Sequence, residues 1–322
     1  MRISIATPAP PGSRKGNRAT AVRWAGLLRS LGHRVRMVEA WDVAADDPPA
    51  DLLVALHARR SSASVERWRA RRGTAPLVVA LGGTDLYEDL PGSAEALRSL
   101  ALADALVVLH PRGVDALPAD VRGKAVAVIQ SATPPRGAPP PPRGDAFEVV
   151  SLAHLRPVKD PFLLPRALRL LPPRSRVRAV HLGAALDAEA EARARTEASE
   201  CPRWTWVGDR PREEAKRRLA SSRLFVLTSR LEGAANAISE AIACGTPVLS
   251  TAIDGSVGVL GEDHPGLFPV GDAAALAALL LRAEEEPPFL EALRARSIAL
   301  QPLVEPARER EAWRRLLARL PR

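Results

Sequence analysis

Short, largely apolar runs recur along the chain at residues 2–6, 35–38, 51–56, 77–81, 105–109 and 126–129, and the segments between them predict helices over 18–30, 64–72 and 93–103. Gly32 ends the first helix, as glycine does where the backbone turns left-handed. Strands apolar at successive residues have no solvent face, so they predict a parallel sheet with helices on both sides. The alternation stops at Thr133-Pro134-Pro135-Arg136-Gly137-Ala138-Pro139-Pro140-Pro141-Pro142-Arg143-Gly144. Such a stretch forms neither helix nor central strand, and polyproline stiffness suits a spacer. The pattern then restarts, with strands at 147–152, 177–182, 205–207, 224–227 and 248–250 and helices near 161–171, 187–199, 211–220 and 237–244. The expected fold class is therefore α/β, two doubly wound domains facing a central cleft, with ligands at the C-terminal ends of the strands. The first domain is expected over 1–133, the linker over 134–145 and the second domain over 146–302, with a helix at about 303–322 packing back onto the first.

The length of 322 residues agrees with two domains. No run of 18 apolar residues occurs, so no membrane insertion is expected, and the first residues lack the apolar core of a secretory signal. Cys201 and Cys244 are the only cysteines, which suits a reducing cytoplasm. The net charge of +9 would suggest a polyanion, but only Lys15, Lys124, Lys159 and Lys216 are lysines, so the excess reflects a general bias toward arginine. It is also spread out, with 20 basic and 14 acidic residues over 1–145 and 26 and 23 over 146–322. With 4% aromatics and no recognisable nucleic-acid module, a nucleic-acid partner is not expected; a small anionic substrate suits the charge better.

The richest segment runs from Ser229 to Leu249. The strand at 224–227 ends in a polar loop, Asn236 is placed as the N-cap of a helix, and Gly245 stops that helix before Pro247. The N–H groups of Gly233, Ala234, Ala235 and Asn236, with the helix dipole, make an anion site. Glu232 lies in the loop and Glu240 one turn into the helix, too far apart for an acid/base pair and well placed as two hydroxyl acceptors on an extended ligand. A second cluster, His154, Arg156 and Lys159, follows the first strand of the second domain. A third, Gly12, Ser13, Arg14, Lys15, Gly16, Asn17, Arg18 and Thr20, combines cations, glycines and a helix start, as an anion site requires. His57 and His110 end strands and read equally as structural residues or ligands. Trp24 and Trp41 read as core, whereas Trp68, within Arg67-Trp68-Arg69-Ala70-Arg71-Arg72, reads as a cover for the cleft or a membrane contact. The six histidines and two cysteines show no metal-ligand spacing.

Ser229-x-x-Glu232-Gly233, followed by Glu240-Ala241-Ile242-Ala243-Cys244-Gly245-Thr246-Pro247-Val248, resembles the retaining glycosyltransferases of GT-B fold, whose pattern is Glu, seven residues, Glu and a Gly-Thr-Pro-Val turn. The resemblance implies two Rossmann-like domains, the second holding a nucleotide sugar and the first an acceptor. It implies that Glu240 holds the ribose hydroxyls and that Glu232, with the amides of Gly233 to Asn236, holds the transferred sugar. It places Lys159 on the diphosphate; the family's usual arginine position is His154 here, with Arg156 two residues on. Glu232, Lys159 and Arg230 are the expected catalytic residues, with leaving-group charge met by Lys159, Arg156, Arg230 and the helix terminus. The uracil is expected near Gly208, Asp209 and Arg210. No Asp-x-Asp occurs, so neither metal nor cofactor is expected. On the acceptor side the resemblance points to the loop Gly12 to Thr20 and, where many relatives carry a histidine at what is here Gly82, to Thr84 and Asp85.

The stretch Thr7-Pro8-Ala9-Pro10-Pro11-Gly12-Ser13-Arg14-Lys15-Gly16-Asn17-Arg18-Ala19-Thr20-Ala21, Gly82-Gly83-Thr84-Asp85-Leu86-Tyr87 and His154-Leu155-Arg156-Pro157-Val158-Lys159-Asp160-Pro161 are together similar to the selenosugar synthases of bacterial selenoneine biosynthesis. This narrower resemblance implies transfer of N-acetylglucosamine or glucose from a UDP-sugar to selenophosphate, forming a carbon–selenium bond. The alternatives are a transferase with a lipid or natural-product acceptor, a UDP-sugar 2-epimerase, and a non-catalytic sugar-nucleotide sensor.

Overall fold

A computed structural model describes residues 1–12, 16–42, 49–137 and 145–321. The chain runs β1 (Arg2–Ala6), α1 (Gly16–Ser30), β2 (Arg34–Val38), β3 (Leu52–Leu56), α2 (Ser62–Arg72), β4 (Leu77–Ala80), α3 (Ala94–Leu102), β5 (Ala105–Val108), α4 (Arg112–Asp115) and β6 (Ala125–Ala127). These strands form one parallel sheet in the order β2-β1-β3-β4-β5-β6. The direction of winding reverses between β1 and β3, the point where a doubly wound sheet opens a crevice at its strand ends. Strands β3, β4 and β5 are buried along their whole length, as their uninterrupted apolar sequences require.

The second set comprises β7 (Phe147–Leu152), α5 (Leu163–Arg169), β8 (Val177–Leu182), α6 (Ala188–Glu200), β9 (Trp204–Trp206), α7 (Arg212–Ser221), β10 (Leu224–Leu227) and α8 (Asn236–Cys244). It continues through β11 (Val248–Thr251), α9 (Asp254–Leu260), β12 (Leu267–Phe268), α10 (Ala273–Glu285) and α11 (Pro287–Leu300). Its parallel sheet has the order β12-β11-β10-β7-β8-β9, with Leu224 beside Val149 and Phe225 beside Val150 at the switch between β10 and β7. The last helix, α12 (Pro306–Arg319), returns to the first set. Two compact units result: Met1–Gln130 with Pro306–Arg322 as unit 1, and Ser131–Glu305 as unit 2.

In unit 1, Trp41 and Trp68 meet edge to face with ring centroids 5.0 Å apart. Trp68 is fully buried, so its expected place on the surface is corrected: the indole fills the core, Arg67 and Arg71 are exposed, and Arg69 and Arg72 turn to the backbone carbonyls of Leu102 and Ala50 at 2.8 and 2.7 Å. Trp24 packs in the same way against Trp313 of α12, at 4.8 Å. Local signals set the helix ends: Asp187 and Asp272 cap α6 and α10 by accepting Ala190 N–H and Ala275 N–H, each at 2.8 Å. Gly245, at φ 66°, ends α8 in the left-handed conformation that glycine adopts without penalty.

Candidate functional site

The sheet order of unit 2 makes β7 and β10 neighbours, so the loops that follow them meet. Beyond β7 the pairing with β8 continues, with Ala153 N–H donating to Leu182 O at 3.0 Å and Leu155 N–H to Ala184 O at 2.9 Å. Gly183 permits this approach, because a Cβ there would stand 1.8 Å from Ala153 O. His181, buried beneath, lies 2.8 Å through Nε2 from Ala153 O. Burial holds its pKa down at about 4, so it is a neutral donor. His154 is half-buried and accepts Ala184 N–H on Nδ1 at 3.1 Å.

A single 3-10 turn, Pro157–Lys159, follows, and the loop after β10 clasps it. Arg230 N–H donates to Val158 O at 2.8 Å and the Thr228 hydroxyl to Lys159 O at 2.9 Å. This clasp brings the two sequence clusters together: Lys159 Nζ pairs with Glu232 Oε1, and the Ser229 hydroxyl donates to the same oxygen at 2.8 Å. Arg230 pairs with Asp160 at 2.8 Å. From the other side Thr251 donates to Ser229 O at 2.6 Å, and the first turn of α9 presses on the loop so closely that a Cβ on Gly255 would lie 2.3 Å from Glu232 O.

Helix α8 opens at Asn236 itself, with Ala235 in the N-cap position and no side-chain cap. This corrects the expected role of Asn236: it is the first helical residue, and the N-cap position falls to Ala235, whose methyl side chain has no acceptor to offer. Gly233, Ala234 and Ala235 are buried ahead of it. Glu240 is held by Arg212, whose Nη2 and Nε lie 2.8 and 2.9 Å from Oε1. Each glutamate therefore gives one oxygen to protein donors, and among the described residues the other oxygen of each accepts no hydrogen bond. Neither Arg212 nor Ser229 was a candidate in the sequence. Ser229 sits three residues before Glu232, a readable spacing, whereas Arg212 is 28 positions from Glu240 and carries no local signal.

The charges of this site are largely matched in pairs: Lys159 with Glu232, Arg230 with Asp160, Arg212 with Glu240, and Arg210 with Glu214 at 3.4 Å. Arg156 is exposed and, among the described residues, its side chain makes no ion pair or hydrogen bond. Gly208, at φ 73°, turns the chain after β9 and accepts Gly183 N–H on its carbonyl at 2.9 Å.

In unit 1, Ser13, Arg14 and Lys15 lie outside the described residues. Gly12 and Gly16 are exposed, and Asn17 reaches the end of β4, its Oδ1 3.4 Å from where a Cβ on Gly82 would be. Two acceptor-side candidates are corrected. Thr20 is buried and accepts Gln130 Nε2–H at 2.9 Å, so it faces the packed side of α1. Asp85 is fully buried: Oδ2 accepts Ala58 N–H at 2.7 Å, and Oδ1 lies 3.0 Å from His57 Nδ1. Its carboxylate is spent inside unit 1, while Thr84 beside it is half-buried. His57, Asp85 and Asp89 form the one group among the described residues that could chelate a metal, with donor atoms within 4.8 Å of one another. Arg59 already answers Asp89 at 3.0 Å, which makes the group a charge network within the unit. His110 lies 3.1 Å from the Tyr87 hydroxyl. No helix among the described residues is long and apolar enough to cross a membrane.

Residues 138–299 match the family model described as glycosyl transferases group 1. A stretch of 83 residues is 42% identical to the amylovoran biosynthesis glycosyltransferase AmsK of Erwinia amylovora, spanning 24% of this chain and 20% of that protein. Among solved structures, HepE of Anabaena in complex with UDP-glucose aligns over 99% of both chains with a TM-score of 0.76 and 17% identity. A sucrose-phosphate synthase of Thermosynechococcus elongatus aligns over 98% of this chain and 99% of its own, with a TM-score of 0.74 and 18% identity. The fold is that of the GT-B glycosyltransferases. The chain belongs to the glycosyl transferases group 1 family.

Proposed function

We propose that the chain is a glycosyltransferase whose donor is a UDP-sugar held by unit 2. The observation that carries this reading is the pair Glu232 and Glu240 at the switch-point loops, each fixed at one oxygen by a cation and free at the other. A carboxylate neutralised in this way accepts sugar hydroxyls without repelling a nearby diphosphate. Glu240 takes the ribose and Glu232 the transferred sugar. The start of α8 and the exposed Arg156 meet the phosphates, and the turn at Gly208 to Arg210 meets the base. The HepE complex holds UDP-glucose, which supports the donor class. In the reaction the bond from the anomeric carbon to the β-phosphate oxygen breaks, and UDP departs with the electron pair. Charge growing on UDP is met by the α8 N–H groups and Arg156, with Lys159 and Arg230 in the surrounding shell.

The acceptor in this reading is selenophosphate. Its selenium is anionic and soft, attacks carbon with little help from a general base, and forms the carbon–selenium bond; later hydrolysis of the selenium–phosphorus bond frees the selenosugar. The support is the sequence of the loop after β1, where Arg14 and Lys15 stand among glycines before α1. The test is incubation with selenophosphate and either UDP-glucose or UDP-N-acetylglucosamine, with mass spectrometry for UDP and a selenium-containing sugar. UDP release only with an alcohol or lipid acceptor rejects selenium and keeps the transferase. Sugar isomerisation without an acceptor, or binding without turnover, rejects both.

A further inference from the structure

We infer that Ser229 is a positioning residue that fixes the orientation in which Glu232 meets the donor sugar. The inference rests on the reading of Glu232 as a sugar contact. Two donors hold the inward oxygen of this carboxylate, and they differ in stiffness. Lys159 reaches it on a four-carbon stem that can follow the carboxylate as it turns. Ser229 cannot: it is fully buried, and its hydroxyl has Glu232 Oε1 as its acceptor at 2.8 Å. Its own backbone is fixed from behind by Thr251, also fully buried, at 2.6 Å, while Gly255 closes on the Glu232 carbonyl. The segment from β11 into α9 thus acts, through Ser229, on a carboxylate that it does not itself pair with. The hydrogen bond is charge-assisted, so losing it frees the carboxylate to rotate about its terminal bond.

The outward oxygen is an acceptor and nothing else, so the donor it favours carries a hydroxyl at that place. A site built around a hydroxyl discriminates strongly against the deoxy analogue, provided its acceptor is held still. Ser229 therefore governs sugar selectivity as well as rate, and has no part in holding UDP.

The test compares wild type, Ser229→Ala and Ser229→Thr in the intact protein. It measures kcat and KM for the UDP-sugar the wild type turns over, inhibition by UDP alone, and the penalty for ring-deoxy donors. For Ser229→Ala we expect kcat/KM to fall by roughly 10–100-fold, the scale of a misplaced contact group. We expect the UDP inhibition constant to stay within about twofold and the deoxy penalty to shrink by about the factor lost from kcat/KM, as for two groups acting as one unit. Ser229→Thr, which keeps the hydroxyl, should recover much of the loss. A Ser229→Ala protein within twofold of wild type overturns the inference, as does a UDP constant that worsens in step with kcat/KM. Should Ser229→Ala fail to fold, Thr251→Val is expected to give the same pattern in weaker form, and unchanged selectivity there overturns the inference. If the wild type turns over no UDP-sugar, the donor reading has failed, an outcome distinct from an active wild type with an indifferent Ser229.

Discussion

Arg156 is an exposed cation of the candidate site whose side chain, among the described residues, makes no ion pair, and a free charge should behave differently from a matched one. Arg156→Met is expected to weaken UDP binding by about tenfold, or about 1.4 kcal/mol. Arg230→Met should do less, since Asp160 already offsets that guanidinium. Calorimetric titration of UDP at low and high salt checks both, and the Arg156 effect should shrink as salt screens it. His181 makes a prediction about pH. Burial holds its pKa at about 4 against an ordinary 6.5, so the folded protein resists a proton that the unfolded chain accepts. Its contribution to stability is complete above about pH 6.5 and is lost as pH falls toward 4, a change of roughly 3 kcal/mol. His264, also lowered to about 4 mainly by burial, acts in the same direction. His181→Gln should flatten the fall of the melting temperature over that window, measured by circular dichroism.

Helix α9 bears on the candidate site because its first turn lies against the Glu232 loop. Gly255→Ala would place a methyl 2.3 Å from Glu232 O, so the loop must shift. Overpacking of this kind costs about 1–3 kcal/mol. The expected result is at least a tenfold loss of kcat/KM for the UDP-sugar with UDP affinity little changed, read by steady-state kinetics and titration. What could be read from sequence divides at this scale. Most strands were legible because buried parallel strands need apolar residues at successive positions, whereas β12, two residues long, is too short to show a pattern; α8 was legible because a loop, an apolar stripe and Gly245 bound it. The pairing of Lys159 with Glu232 was not, since it depends on β7 and β10 being neighbours, a consequence of sheet order that no local pattern records. Asp85 looked like a loop residue open to ligand. The chain instead makes a π-helical turn over Asp85–Asp89, which carries the carboxylate inward to the N–H of Ala58.

At the scale of the whole molecule, unit 1 is assembled from two separated stretches of chain. The joint is built on Trp313, fully buried against Trp24, and on Glu309, which accepts Trp24 Nε1–H at 2.7 Å and Arg23 Nε–H at 3.2 Å. Trp313→Ala is expected to cost about 3–5 kcal/mol. The loss should fall on unit 1, so urea unfolding followed by hydrogen exchange should show amides of α1 and β1 losing protection while those of β7 and β10 keep theirs. The same joint orders events during synthesis. All of Ser131–Glu305 is synthesised before the segment that completes unit 1. The half translated first therefore waits, with the face of Trp24 uncovered, for a helix translated after everything else it touches.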